Sequence, residues 1–180
     1  MYVRNVTGTT ARTAFSLRMV PREGILIHTT GGYNSLGWLQ RDEPNPDKRS
    51  SADWLIDRAG NAFLIVPLNC YSYHSGKARY KGRQDIDGTL NRSFVGVELE
   101  CADQLGEKIT DLQYISLASL VRTLLLKYPI SCNMIALHKE AALPPGRKVD
   151  PVFFDWPIFT REMIAPSPNA PDYRVVVQHA

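Results

Sequence analysis

Residues 136–156, ALHKEAALPPGRKVDPVFFDW, place the tightest constraint on the fold of this chain. An apolar run ends in His138, and Pro144-Pro145-Gly146 then stiffens and turns the chain. It returns through Lys148, Asp150 and Pro151 to the aromatic Phe153-Phe154-Asp155-Trp156. Proline fixes φ and glycine opens the left-handed region, so such a loop has few conformations and brings its ends together. A histidine and a carboxylate joined this way suit a divalent cation, with Lys148 left as a neighbouring positive charge. Taken singly, Asp before Pro is commonly just a turn, and a lone histidine at a strand end is more often structural.

Two other segments offer partners. His28 ends the run Gly24-Ile25-Leu26-Ile27, and Glu98 lies inside Phe94-Val95-Gly96-Val97-Glu98-Leu99-Glu100. Both runs are almost continuously apolar, the pattern of strands covered on two faces. Thr29 to Gly32 breaks the first, and a short helix from Ser35 to Arg41 follows, burying Leu36 and Leu39. Asp42 to Ser50 is a polar loop. Ser51 to Ile56 and Ala62 to Pro67 form a hairpin turned by Asp57 to Asn61. Asn69 to Leu90, with His74, has no period and reads as a long irregular connection of the functional or mobile kind.

Thr110, with Gln113 three residues later, opens the clearest helix with a capping-box pattern. Its apolar stripe is Leu112, Ile115, Leu120, Val121, Leu124 and Leu125, and Pro129 stops it. Met134 to His138 is a strand, and Pro157 to Ile164 a last short helix. An irregular lead-in with a short strand precedes Pro21, and a tail with Pro166, Pro168 and Pro171 ends the chain. The order of elements specifies an α/β fold, a central mixed β-sheet flanked by helices. The chain reads as a single domain over residues 1–180, with its core at about residues 20–164. Sites in such sheets form where strand ends meet loops, and His28 and His138 both end strands.

A chain of 180 residues suffices for one such domain. Its net charge of +3 is too small to argue nucleic-acid binding. The densest basic segment, Lys77 to Arg83, reads as a solvated loop. The longest apolar stretches fall short of the ~18 residues needed to span a bilayer. The first residues lack the apolar core of a secretory signal. Cys70, Cys101 and Cys132 lack C-x-x-C spacing, which argues against a disulfide scaffold or a cysteine zinc site, and they read as reduced, buried thiols. His179 reads as a tail residue.

Three protein ligands and one open position make a catalytic zinc site. His28, His138 and Asp150 supply two imidazoles and a carboxylate, provided the three segments converge.

With Gly146-Arg147-Lys148-Val149-Asp150-Pro151, the His ending the preceding strand, Gly96-Val97-Glu98-Leu99-Glu100 and Ile25-Leu26-Ile27-His28, the chain resembles the zinc-dependent N-acetylmuramoyl-L-alanine amidases. That family spans phage amidase-type lysozymes, cell-wall recycling amidases and peptidoglycan recognition proteins. The resemblance runs in order from about Gly24 to Trp156 and takes in Ser51-Ala52-Asp53-Trp54-Leu55-Ile56 and Tyr73-His74-Ser75-Gly76. It implies Zn2+ on His28, His138 and Asp150, and hydrolysis of the amide between N-acetylmuramic acid and L-alanine in peptidoglycan or muropeptides. It assigns Glu98 as the proton-transferring carboxylate, and Lys148 as the cation that stabilises the oxyanion. Glu100 is expected on the same strand face as Glu98. His74, with Tyr73, Tyr71 and Arg83, is expected along the substrate groove. Asp53 stands where some members carry histidine, and Val152 follows Pro151 where glycine is common.

The alternative from another class is a non-catalytic peptidoglycan-binding protein of the same fold, and the intact set with Lys148 speaks for the enzyme. A non-haem iron oxygenase also uses two histidines and a carboxylate, but no cosubstrate motif accompanies them. The expected partner is the peptidoglycan or muropeptide substrate, with no nucleic acid and no membrane. Oligomeric state is left open, as is action in the cytoplasm or after release to the cell wall.

Overall fold

Six strands form one mixed sheet in the computed structural model, which describes residues 1–17 and 20–178; His179 lies outside them. In chain order the elements are β1 (Val3–Asn5), β2 (Phe15–Leu17), β3 (Gly24–Thr29), α1 (Ser35–Gln40), β4 (Trp54–Ile56), β5 (Ala62–Leu64), β6 (Cys70–Ser72) and β7 (Phe94–Leu99). There follow α2 (Asp111–Lys127), β8 (Ile135–Leu137), α3 (His138–Ala141), α4 (Trp156–Ile164) and α5 (Arg174–Gln178). The main sheet runs β1-β5-β4-β7-β3-β8. All its pairings are parallel except the β4–β5 hairpin. The central β3 is buried at every position, as its unbroken apolar pattern requires.

Alternation along β7, β3 and the edge strand β8 sorts their residues onto two faces. Ile25, Ile27, Val95, Val97, Leu99, Ile135 and Leu137 pack beneath α2. Leu117, Leu120, Val121 and Leu124 of α2 are fully buried in that layer, each worth roughly 1.5–3 kcal/mol of burial. On the other face Leu26, Phe94 and Ala136 form a smaller cluster with Ala78, Leu90 and Ala141. His28 and Glu98 continue this second face toward the strand ends.

The capping box forms as read: Thr110 accepts from Gln113 N at 3.1 Å, and the Gln113 side chain accepts from Thr110 N at 3.1 Å. The expected stripe on α2 is shifted. Leu112 is exposed, whereas Gln113, Tyr114, Ser116, Leu117 and Ala118 are buried. The helix is covered by α4 as well as by the sheet, so its buried face is wider than one stripe. Its polar members are paired, Gln113 Nε2 with the carbonyls of Ile56 and Glu100 and Ser116 with Tyr173.

Other expectations are corrected. The lead-in holds two strands: β1 extends the main sheet beside β5, and β2 pairs with β6 in a separate antiparallel ribbon. The region after Asn69 therefore contains a strand that shows no sequence period, because it is only three residues long. Cys70 and Cys101 are buried, but Cys132 is exposed in a surface turn. Leu36 is half-buried, with Leu39 and Ser35 forming the buried side of α1. The tail is anchored by Tyr173, fully buried with its ring 5.6 Å from that of Trp54. No helix among the described residues is long and apolar enough to cross a membrane.

Candidate metal centre

The parallel register of β3 and β7 sets His28 opposite Glu98. Directly paired residues share a face, so both side chains leave the sheet on the side away from α2. His138 follows β8, which pairs with β3 as far as Ile27↔Leu137, and is the first residue of α3. Asp150 is brought back to it by a backbone bond from Lys139 N to Asp150 O at 2.8 Å. Gly146 takes a φ of 82° at the turn of the intervening loop. Arg147 then ties that loop down, donating to the carbonyls of Leu143 (2.7 Å), Ser75 (3.0 Å) and Lys77 (2.8 Å). The prolines limit the loop; these bonds choose its conformation.

One ligand atom from each of His28, His138 and Asp150 lies within 4.8 Å of the others, and all three residues are buried. The two Nδ1 atoms stand 2.9 Å apart, and Asp150 Oδ2 is 3.0 Å from His138 Nδ1 and 3.7 Å from His28 Nδ1. His138 Nε2 lies 3.0 Å from the Ser75 carbonyl, which can only accept. A proton at Nε2 meets that carbonyl, and Nδ1 is the ring nitrogen turned toward the Asp150 carboxylate. Burial, then the neighbouring His138, lowers the His28 pKa to about 4, so this ring is neutral at physiological pH. Although burial opposes it, hydrogen bonding to the two imidazoles holds the Asp150 carboxyl below its usual range. Two imidazoles and an ionised carboxylate are a fitting donor set for a divalent ion of the zinc type.

The centre floors a cleft of about 370 Å³ that also includes Glu98, Lys148 and His74. Glu98 Oε2 is shielded from solvent without a hydrogen-bond partner. Burial, then the charge of Asp150, pushes the Glu98 pKa up to about 8, partly opposed by Lys148. Lys148 is exposed at the rim. Glu100 falls just past β7, and its carboxylate accepts from Ser35 N at 3.0 Å, capping the entry to α1.

Tyr73 and Arg83 are not among the side chains lining this cleft. The Tyr73 hydroxyl pairs with Ser16 Oγ at 2.6 Å, and its ring packs 5.8 Å from that of Tyr71. Arg83 pairs with Glu23 at 3.3 Å and borders a separate groove. Asp53 is fully buried and paired with Arg22, far from any substrate-facing role.

The structure adds residues that the sequence reading missed. Tyr33, Trp38 and Gln104 complete the cleft wall. Trp38 is half exposed on α1 under the Arg41 guanidinium, 3.8 Å from the ring centroid. A tryptophan on the outward face of so short a helix is a signal that was available. Asn91 Oδ1 accepts from the backbone N–H of His74 (3.0 Å) and Ser75 (2.9 Å). Asp103 Oδ2 accepts from Thr29 Oγ1 and Val152 N, both at 2.7 Å, clamping the end of β3 to the segment after Asp150.

The family profile described as N-acetylmuramoyl-L-alanine amidase matches residues 18–153. The 1,6-anhydro-N-acetylmuramyl-L-alanine amidase AmpD of Salmonella typhimurium (strain SL1344) is 39% identical over 118 residues, covering 65% of this chain and 58% of the relative. AmpD of Escherichia coli (strain K12) is 38% identical over 112 residues, covering 62% and 57%. The chain thus spans under two thirds of the length of these relatives. A selenomethionine AmpD crystal structure superposes with a TM-score of 0.69 at 26% identity, over 88% of this chain and 92% of that one. PlyL superposes with a TM-score of 0.63 over 94% and 100%, and its 17% identity speaks to fold alone.

Proposed function

This chain belongs to the N-acetylmuramoyl-L-alanine amidase family, and from that premise we propose that it hydrolyses the amide joining N-acetylmuramic acid to L-alanine, with zinc held by His28, His138 and Asp150. One observation carries the reading: three buried donor atoms converge beside a carboxylate oxygen that has no partner of its own. A zinc ion bound there supplies Lewis acidity, polarising the amide carbonyl and acidifying a water molecule.

The chain's own groups do the rest. Glu98 takes the proton of the attacking water and delivers it to the nitrogen of the departing L-alanine, so the carboxylate is regenerated each turnover. Its raised pKa suits a group that must both accept and release a proton near neutral pH. The Lys148 ammonium, at the rim, stands by the negative charge that grows on the carbonyl oxygen. The three ligands and Glu98 are held by the sheet and by backbone bonds before substrate arrives, which limits reorganisation during the reaction.

Relatives at 34–39% identity are named for a 1,6-anhydro-N-acetylmuramyl-L-alanine substrate. The soluble anhydro muropeptide is therefore the preferred substrate in this reading, ahead of polymeric peptidoglycan. A purely binding role has no use for Glu98 and Lys148 beside a full ligand set. The test is mass spectrometry of anhydro muropeptides and of intact peptidoglycan after incubation with the metal-replete protein, with and without chelator. Free stem peptides beginning at L-alanine are expected, lost with chelator and restored by Zn2+. Absence of such peptides from both substrates overturns the proposal, and iron as the bound metal in purified protein overturns its zinc assignment.

A further inference from the structure

Asp103 bonds to none of the three ligands, and we infer that it is a positioning residue for the metal centre, holding Asp150 at the distance from His28 that a shared ion requires. The inference rests on the metal reading above and concerns how the ligand set is held.

Three segments carry the ligands, and a fixed triangle needs a tie along each side. β3 and β8 pair as far as Ile27↔Leu137, the residues just before His28 and His138, which fixes the first side. Lys139, next after His138, fixes the second. Its N–H donates to the Asp150 carbonyl at 2.8 Å, and its ammonium to the Val152 carbonyl at 3.2 Å. The third side, from Asp150 back to His28, is spanned by Asp103. Its Oδ2 accepts from Thr29 Oγ1, next after His28, and from the N–H of Val152, two residues after Asp150, both at 2.7 Å. Backbone bonds hold the first two sides. A single side chain spans the third, so this is the side that a point substitution can open.

The tie is made from outside the site. Thr29 pairs with Leu99, which packs beneath α2, and paired residues share a face, so the Thr29 hydroxyl lies on the face opposite His28. Asp103 sits there just past the end of β7, 1% exposed. Bonds to an ionised oxygen shielded from water are among the stronger ones a side chain makes. Oδ1 is buried without a hydrogen-bond partner among the described residues. All the bonding therefore passes through one oxygen, which an asparagine amide reproduces and a leucine does not. Ligands held in place in this way need little rearrangement to receive an ion.

The experiment measures the Zn2+ dissociation constant, by competition with a chromophoric chelator, and the visible spectrum of the Co2+-loaded protein. It compares wild type, Asp103→Leu, Asp103→Asn and Thr29→Val. Leucine removes the acceptor. Valine removes the Thr29 donor at nearly the same volume and leaves the segment after Asp150 untouched, so the test stands even where the leucine variant does not fold. Both are expected to bind Zn2+ roughly 10- to 100-fold more weakly and to alter the Co2+ bands that report ligand geometry, whereas asparagine keeps both near wild type. Calorimetry of the metal-free proteins reads any loss of stability separately. Wild-type Zn2+ affinity in Thr29→Val or in folded Asp103→Leu overturns the inference, whatever the change in Tm, and leaves Asp103 a structural residue. Asparagine as weak as leucine overturns it too, because both bonds survive that change. Wild type that binds no Zn2+ rejects the metal reading itself, and this inference with it.

Discussion

His28 and Glu98 occupy the same register position in the parallel pairing of β3 and β7. A side chain meant for a cation and one that carries a proton are thereby held on one face at adjacent strand spacing. A slip of one residue would send either of them to the opposite face, into the layer under α2. The apolar residues at alternating positions, Ile25 and Ile27 against Val95 and Val97, forbid that slip.

Replacing Glu98 by glutamine keeps the size of the side chain and removes the base. We expect kcat on anhydro muropeptide to fall at least about 100-fold. Zinc content by mass spectrometry should stay near one equivalent, because Glu98 is outside the converging triad. Wild-type turnover in this variant rejects the proton-transfer role.

Lys148→Met removes the rim cation without emptying the space it fills. The expected effect is a fall in kcat of about 10- to 100-fold with little change in KM, the signature of an interaction made only in the transition state. A loss confined to KM assigns Lys148 to substrate binding.

Stability of the chelator-stripped protein should depend on pH through Glu98. Its carboxyl holds its proton more tightly in the folded state, with a pKa of about 8 against a reference of 4.5. The resulting stabilisation is complete below the reference value and is lost as pH rises toward 8. Glutamine never ionises and escapes that loss. Metal-free Glu98→Gln should therefore gain on metal-free wild type between pH 5 and pH 8.5, by on the order of 4 kcal/mol, most of it above pH 5. The opposing contribution of His28, whose lowered pKa costs stability as pH falls from 6.5 toward 4, is common to both and cancels. Scanning calorimetry across this range reads the difference.

The Arg22–Asp53 pair is buried, with both side chains 1% exposed. Arg22 also donates to the carbonyls of Phe94 (2.7 Å) and Cys70 (2.9 Å), and Asp53 accepts from Ser72 Oγ (2.9 Å) and Gly96 N (2.8 Å). Asp53→Ala strands a buried guanidinium and should cost roughly 3–5 kcal/mol, a fall of about 10 °C in Tm. In a double-mutant cycle, Arg22→Met with Asp53→Leu should cost clearly less than the two single changes added together. Additive costs would show the pair to be uncoupled.

The sequence by itself determined whatever is written in neighbouring residues. The apolar runs at residues 25–28 and 94–99 specify doubly covered strands because no polar position is left for a solvent face. Thr110 and Gln113 specify a helix start because both halves of the capping box lie within one turn. His138 and Asp150 were legible as partners because a short, stiff loop joins them.

Tertiary structure alone decided which distant groups complete the site. Asn91, Asp103 and Arg147 act through bonds to segments far along the chain, and nothing in their local sequence records those partners. Tyr73 lies next to His74, yet it pairs with Ser16 while His74 meets His28. Neighbours in an extended segment point to opposite sides, and only the packing of the rest of the chain decides which side is the cleft.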